Sequence, residues 1–497
     1  MLKRLVVAAV GLAALASTAT ASAALQAPDT ASGGSAATAA CTTPAPVHIY
    51  PYYHCYSPGD IRSAYGVSAL GDPSDATGTL GQGRTIVLVD SYGSPTAASD
   101  LAYFHRTFYP NLPAPNFTAE FPLGAPNYSN ANTNSNGKSG PSAAANWSGE
   151  ATLDIEWAYA IAPLAHIVLV AVPPAETEGV QGLPNMFKAI SSEIDANPAG
   201  TVFSMSFGIT EQTFGGAAQQ QASKFDGVFQ KGIAKGDTFF ASSGDNGTSG
   251  TSKQAKNTGF YSYPTVGWPT SSPYVTSAGG TQLQYGWTWD PTSDTPFLAD
   301  GSANPAYFNY NVTPGSNLNA VWNESFLPAA SGGGPSAIYP RPSWQADVLA
   351  SAGDHRLVPD VSWNAAVNGG VLVYISAYPS YQRSGWHVYG GTSAASPQLA
   401  ALTALADQQR AANNKAPLGN INPLLYQHGS WFKDVGPVTE GTAQSGQLVN
   451  NQLFQFNADG SVSPGPVAGW PTTGGYDMTT GLGTPNAQAY VTGLAGS

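Results

Sequence analysis

Cysteine is nearly absent. Cys41 and Cys55 are the only two in 497 residues, which excludes a disulfide framework as the organiser of the core. Charge is scarce too: Asp, Glu, Lys and Arg make up 10% of the chain, against about 25% in an average domain. No basic patch occurs, and this excludes a nucleic-acid partner. Past Ala24 no apolar run is long enough to cross a bilayer. The seven histidines (His48, His54, His105, His166, His355, His387 and His428) are scattered, and none stands in a motif that pairs it with a nucleophile.

What is present begins with an export signal. Lys3 and Arg4 precede an apolar stretch from Leu5 to Leu15, and Ala21-Ser22-Ala23 ends it as an A-x-A cleavage site. Residues 1–24 therefore read as a secretory signal peptide, and the mature chain as secreted and extracellular, with no membrane contact. Outside the cell Cys41 and Cys55 are expected to pair and clip a small N-terminal loop. Residues 25–55, rich in Ala, Ser, Thr and Pro, read as a flexible leader. The chain carries a net charge of −12; without Lys3 and Arg4 sixteen basic and thirty acidic residues leave −14. A surface of few charges and many neutral hydrogen-bonding groups changes little when carboxylates protonate, so it suits acid.

From residue 56 onward buried β-branched strands alternate with helical segments. "RTIVLVDSYG" (84–93), "AHIVLVAV" (165–172), "GTVFSMSFG" (200–208) and "DTFFASSGDNG" (237–247) are strands. "SPTAASDLAYFHRTF", "GLPNMFKAISSEIDAN" (182–197) and "QQQASKFDGVFQKGIAKG" (219–236) are helices. That alternation predicts an α/β fold: a doubly wound, mostly parallel sheet flanked by helices, in one large domain over 56–497, expected to be a monomer. Residues 250–345, richer in Gly, Pro and aromatics, read as loops and short strands.

Two stretches carry candidate chemistry. "GTSAASP" (391–397) presents Ser393 at a small-residue turn that opens a helix, where free N–H groups and the helix dipole favour negative charge. An ordinary helix cap is the alternative. "WSGEATLDIEWAYAIAP" (147–163) is a helix with Ser148 as its N-cap and Pro163 ending it. Glu150 and Asp154 stand at i and i+4, so both carboxylates share one face, while Glu156 points elsewhere. Like charges at that spacing weaken a helix; a solvated acidic face is the alternative.

Taken in order, "GEATLDIEWA", "SSGDNG", "YPTVGWPTSSPYVTSAGGT" (263–281), "SGGGPS" (331–336), "RLVPDVSWNA" (356–365) and "GGTSAASP" resemble the sedolisin family of serine-carboxyl peptidases, from about residue 56 to the end. The resemblance implies a subtilisin-like fold and a catalytic set on Glu150, Asp154, Asp245 and Ser393. Ser393 would form the acyl-enzyme, Glu150 would serve as general base and acid, Asp154 would orient Glu150, and a protonated Asp245 would donate to the oxyanion. It implies protein or peptide substrates, acid activity, and either endopeptidase or tripeptidyl-peptidase action. A non-catalytic binding protein on the same scaffold is the competing reading. "SMSFG" (204–208) and "SGGGPS" would line the cleft. Some family members extend the acid network through a glutamate and a tryptophan, where this chain has Asp90 and Phe207. Their large pro-domain has no counterpart between the export signal and residue 56. "WFKDVG" (431–436) and "TGGYDMTTGLGTP" (473–485) resemble the family's calcium site, implying one structural Ca²⁺ held by the carboxylates of Asp434 and Asp477 and the carbonyls of Val435, Thr473 and Gly475.

Overall fold

The computed structural model describes residues 25–26, 54–128, 141–173, 176–252, 259–300, 302–377, 384–441, 447–457 and 462–497; for 25–26, 141–146, 176–178 and 447 it describes the backbone alone. The strands β1 (Thr85–Ser91), β2 (Phe117–Glu120), β3 (His166–Val172), β4 (Val202–Met205), β5 (Thr238–Ser242), β6 (Thr276–Trp289), β7 (Tyr310–Val321) and β8 (Val361–Asn364) form the main sheet. Its order is β7-β6-β5-β4-β1-β3-β2, with β8 also pairing β6. All these pairings are parallel except β6 with β7.

Why these residues form central strands is visible in β1. Ile86 and Leu88 pack into one apolar cluster, Val87 and Val89 into a second on the opposite face. A strand covered on both faces needs a continuous β-branched run, and the sequence supplies one. The covers are helices α1 (Ala97–Phe108), α2 (Pro141–Ile161), α3 (Leu183–Ala196), α4 (Ala218–Lys235) and α5 (Thr392–Ala412). Side chains from α2 and α5 fill the cluster that holds Ile86; Met186, Phe187 and Ile190 of α3 and Phe229 of α4 fill the other. An antiparallel pair, β9 (Gly370–Ile375) and β10 (Gly385–Gly390), runs directly into α5.

The winding sets the site. From β1 the chain proceeds to β3 and β2 on one side, and later to β4, β5 and β6 on the other. The carboxyl ends of β1 and β4 therefore lie at a topological switch point, the crevice where open α/β sheets bind ligands.

Three expectations change. The helix carrying Glu150 begins at Pro141, so Ser148 is inside it and is no cap; its hydroxyl donates to Ser94 Oγ at 2.8 Å. The segment 250–345 is more regular than its composition suggests, because β6 and β7 form a long antiparallel hairpin with a bulge between Tyr285 and Trp287. Within the stretch read as a flexible leader, Leu25–Gln26 pairs antiparallel with β10. Cys55 is disulfide-bonded, while Cys41 and the signal peptide lie outside the described residues.

Candidate active site

Helix α2 is buried at every position from Trp147 to Ile161. Its three acids are 1% (Glu150), 0% (Asp154) and 0% (Glu156) exposed, which removes the solvated-face reading. Glu156 does point away from the other two: its Oε2 accepts the Tyr374 N–H at 2.9 Å, so it staples α2 to β9. Asp154 turns toward the carboxyl end of β4, where Ser206 donates to its Oδ1 at 3.0 Å; its Oδ2 has no hydrogen-bond partner among the described residues.

Asp90, near the end of β1, is a third member of this cluster. It is fully buried, and neither of its oxygens has a hydrogen-bond partner among the described residues. Burial pushes its carboxyl up to about 8. Asp154 is raised well above the carboxylate range, first by burial, then by the negative charge of Asp90 and that of Glu150. Three acids that interact this closely share protons and titrate as a set. Phe207 is 1% exposed in the apolar core and extends no polar network.

Ser393 lies in the first turn of α5, with 0% exposure. Gly391 precedes that turn at φ 97°, a conformation that side-chain-bearing residues rarely adopt. Two contacts bring α5 to the acids. Ser204 of β4 and Ser396 of α5 are bonded through their hydroxyls at 2.8 Å, two residues before the Ser206 that holds Asp154. The Tyr389 hydroxyl, four residues before Ser393, lies 2.5 Å from where a Cβ on Gly149 would sit. A side chain at residue 149 would displace the Tyr389 ring from this position beside the helix that carries Glu150.

Asp245 follows the end of β5 on the other side of the serine turn. Its Oδ1 accepts both Thr392 N–H and Thr392 Oγ1–H at 2.8 Å, and Gly244 N–H closes the loop onto Thr392 Oγ1 at 3.1 Å. Its Oδ2 is buried without a hydrogen-bond partner among the described residues. Burial lifts this carboxyl to about 6, against the pull of the two Thr392 bonds. Three of the histidines are engaged elsewhere: His54 stacks on Trp287, His105 bonds Tyr159 and His166 bonds Thr118. Sequence reasoning did not single out Ser206, Thr392 or Tyr389; Ser206 lay inside "SMSFG" and Thr392 inside "GGTSAASP", while Tyr389 lay in no motif.

The second predicted site is a loop pair near the C-terminus. Asp434 Oδ2 accepts Gly475 N–H at 2.9 Å, and Asp477 Oδ2 accepts Thr473 N–H at 2.9 Å, so the two aspartates bracket the 473–477 turn. Val435 is buried beside them. Asp477 is 1% exposed and raised by burial, against the pull of hydrogen bonds from Thr479, Thr473 and Thr480. Among the described residues no three His, Cys, Asp or Glu side chains cluster as a metal site. Two carboxylates plus backbone carbonyls is nonetheless a donor set that suits a hard cation.

No protein-family profile matches the chain. Kumamolisin of Bacillus sp. (strain MN-32) is 29% identical over 440 residues, covering 86% of this chain and 62% of that protein. Tripeptidyl-peptidase 1 of Homo sapiens is 30% identical over 358 residues, 68% of this chain and 50% of that protein. Sedolisin of Pseudomonas sp. (strain 101) is 29% identical over 314 residues, 62% of this chain and 43% of that protein. The chain thus spans less than two thirds of the length of these relatives. Among solved structures, Pseudomonas sedolisin, a serine-carboxyl proteinase complexed with two molecules of pseudo-iodotyrostatin, matches the fold with a TM-score of 0.60. The match covers 90% of this chain and 99% of that one at 23% identity. In sequence the chain is thus similar to the peptidases kumamolisin, tripeptidyl-peptidase 1 and sedolisin, and in fold it matches sedolisin.

Proposed function

We propose that the chain is a secreted, acid-active serine-carboxyl endopeptidase whose catalytic set is Glu150, Asp154, Asp245 and Ser393. The observation that carries this reading is the state of Asp245. One of its oxygens is committed to Thr392, the residue beside the proposed nucleophile; the other has no hydrogen-bond partner among the described residues, on a carboxyl that keeps its proton up to about pH 6. A protonated acid in that position is a hydrogen-bond donor beside the serine turn.

In the proposed reaction Glu150 takes the proton of the Ser393 hydroxyl as oxygen attacks the peptide carbonyl. Asp154, held by Ser206, orients Glu150 and shares its proton with it and with Asp90. The carbonyl oxygen, now an oxyanion, receives the Asp245 proton as a hydrogen bond and gains from the α5 N-terminus. Glu150 then returns its proton to the leaving amine, and water releases the acyl group by the same steps in reverse roles. The set requires an ionised base beside a protonated oxyanion acid, which restricts it to acid.

Calcium, if bound, would be held by the carboxylates of Asp434 and Asp477 and the carbonyls of Val435, Thr473 and Gly475, and would cross-link the two loops electrostatically. The likeness to tripeptidyl-peptidase 1 supports a second reading, removal of tripeptides from a free N-terminus. One experiment separates the readings. Purified chain and a Ser393→Ala variant are incubated near pH 4 with a denatured protein whose amino terminus is blocked. Internal cleavage by the first and not the second is expected. Cleavage only after the block is removed would favour the tripeptidyl reading. Equal behaviour of both chains would remove Ser393 from the chemistry and leave a binding protein.

A further inference from the structure

Glu324 lies outside the proposed acid set, yet it is 2% exposed and its carboxyl carries three hydrogen bonds. Oε2 accepts Trp322 Nε1–H and Val367 N–H, each at 2.8 Å, and Oε1 accepts Asn368 N–H at 2.7 Å. Val367 and Asn368 belong to the link 365–369 between β8 and β9. The serine turn rests on that link: the Ala365 carbonyl accepts Gly391 N–H at 2.6 Å, two residues before Ser393. Gly390 lies against it too, since a Cβ there would come within 2.5 Å of the Ala365 carbonyl oxygen. Trp322, whose indole Glu324 holds, packs with Ala365 and Ala366 in one buried cluster.

The backbone around Glu324 faces the other half of the site. Asn323–Glu324 pairs antiparallel with Ala329–Ala330. Ala330 N–H donates to the Asp245 carbonyl at 2.9 Å, and Gly247 N–H donates to the Ala330 carbonyl at 2.9 Å. So the main chain of this short hairpin holds the loop that carries Asp245, while the Glu324 carboxyl holds the link beneath Ser393.

Building on the peptidase reading above, we infer that Glu324 is a positioning residue: it clamps the serine turn and the Asp245 loop at one spacing, and so sets the reach of the Asp245 donor to an oxyanion formed on Ser393. An acid is needed there because three N–H donors converge on two oxygens. Glutamine keeps the size but offers one acceptor oxygen. Its N–H₂ group would face either Asn368 N–H or the pair from Trp322 and Val367, leaving a buried donor without a partner. The link would shift to relieve this, and a reacting geometry is sensitive to displacements well below the size of an atom.

The test is a double-mutant cycle with full chains, read by kcat near pH 4 on a peptide that the unaltered chain cleaves. Glu324→Gln is expected to lower kcat by about tenfold or more. In an Asp245→Ala background there is no donor left to misplace, and the same substitution is expected to lower kcat by less than about threefold. A purely structural role would lower the melting temperature and leave kcat of the folded variant unchanged, which would overturn the assignment. Equal falls in the two backgrounds would overturn it as well, because Glu324 would then act without Asp245. Should Glu324→Gln fail to fold, Trp322→Phe, which removes one of the three donors, is judged by the same two criteria. Absence of any Ser393-dependent cleavage would overturn the peptidase reading and this assignment with it, whereas Ser393-dependent cleavage with additive effects sinks the assignment alone.

Discussion

At residue scale, the proposed mechanism makes the working pH depend on one atom of Asp245. Its Oδ1 is spent on Thr392, so any proton it carries is available to the oxyanion from Oδ2. As pH rises through about 6 that proton leaves, the donor becomes a negative charge, and the rate should fall. Asp245→Ala is expected to lower kcat by about 10² to 10³, the value of one oxyanion donor. Asp245→Asn keeps an acceptor for Thr392 and places a permanent N–H₂ donor on the other side. It should retain more activity than the alanine variant and lose the fall near pH 6. A kcat/KM profile from pH 3 to 8 on the three proteins checks this; an asparagine variant with an unchanged alkaline arm would assign that arm to another group. In the proposed mechanism the acidic arm would belong to Glu150, Asp154 and Asp90 together, with apparent pKa values that are properties of the set.

At the scale of elements, the C-terminal loop reaches the active site through a chain of hydrogen bonds. Asp477 Oδ1 accepts the N–H groups of Thr479 and Thr480 at 2.9 and 2.8 Å and fixes their turn. Thr479 carbonyl then accepts Ser331 Oγ–H at 2.8 Å, Ser331 Oγ accepts Gly280 N–H at 3.0 Å, and Gly332 N–H bonds the Gly244 carbonyl beside Asp245. The backbones meet closely here, since a Cβ on Gly333 would come within 1.9 Å of the Met478 carbonyl oxygen. Removing the proposed cation with a chelator should therefore lower the melting temperature by several degrees, about 2 °C for each kcal/mol lost in a chain of this size. Asp434→Ala should remove that sensitivity to chelation, and calorimetric titration of the chelated chain with Ca²⁺ should show one site. A chelator that leaves the melting temperature unchanged, with no heat on titration, would mean that the loops hold no ion.

At the scale of the whole molecule, the low charge content has a counterpart in the core. Besides the active-site acids, burial raises Glu211 and Glu324 to about 7, Asp226 and Asp237 to about 6, Asp407 to about 7 and Glu440 to about 8. Each has a folded pKa above its unfolded value near 4, so the folded state binds more protons between those two values. Stability from these groups is fully present below about pH 4 and is lost progressively as pH rises through 6 to 8. Thermal melts should accordingly show a melting temperature at pH 4 above that at pH 8 by on the order of 5 °C. A higher value at pH 8 would contradict the directions of these shifts. The fold thus favours acid through buried groups such as Glu324, whose carboxylate accepts Val367 and Asn368 N–H groups deep in the core, in the same direction as the chemistry proposed for Asp245.

The sequence by itself determined the parallel sheet and its helices, because a strand buried on both faces must be a run such as "TIVLVDS", and that pattern is local. It also determined that Glu150 and Asp154 share a helix face, which 3.6 residues per turn dictates. It misplaced the start of that helix at Ser148: a good capping residue signals a start only where the preceding residues leave the helix, and these continue it back to Pro141. Composition likewise concealed the β6–β7 hairpin, since long-range strand pairing leaves little trace in a Gly- and Pro-rich segment. Only the tertiary structure decided that α2 is buried from Trp147 to Ile161, that Asp90 lies near enough to raise Asp154, and that Thr392 claims one oxygen of Asp245. These depend on contacts between residues tens to hundreds of positions apart. Desolvation and Coulomb energy, which set the protonation of every acid in the site, are properties of that packing and not of any stretch of chain.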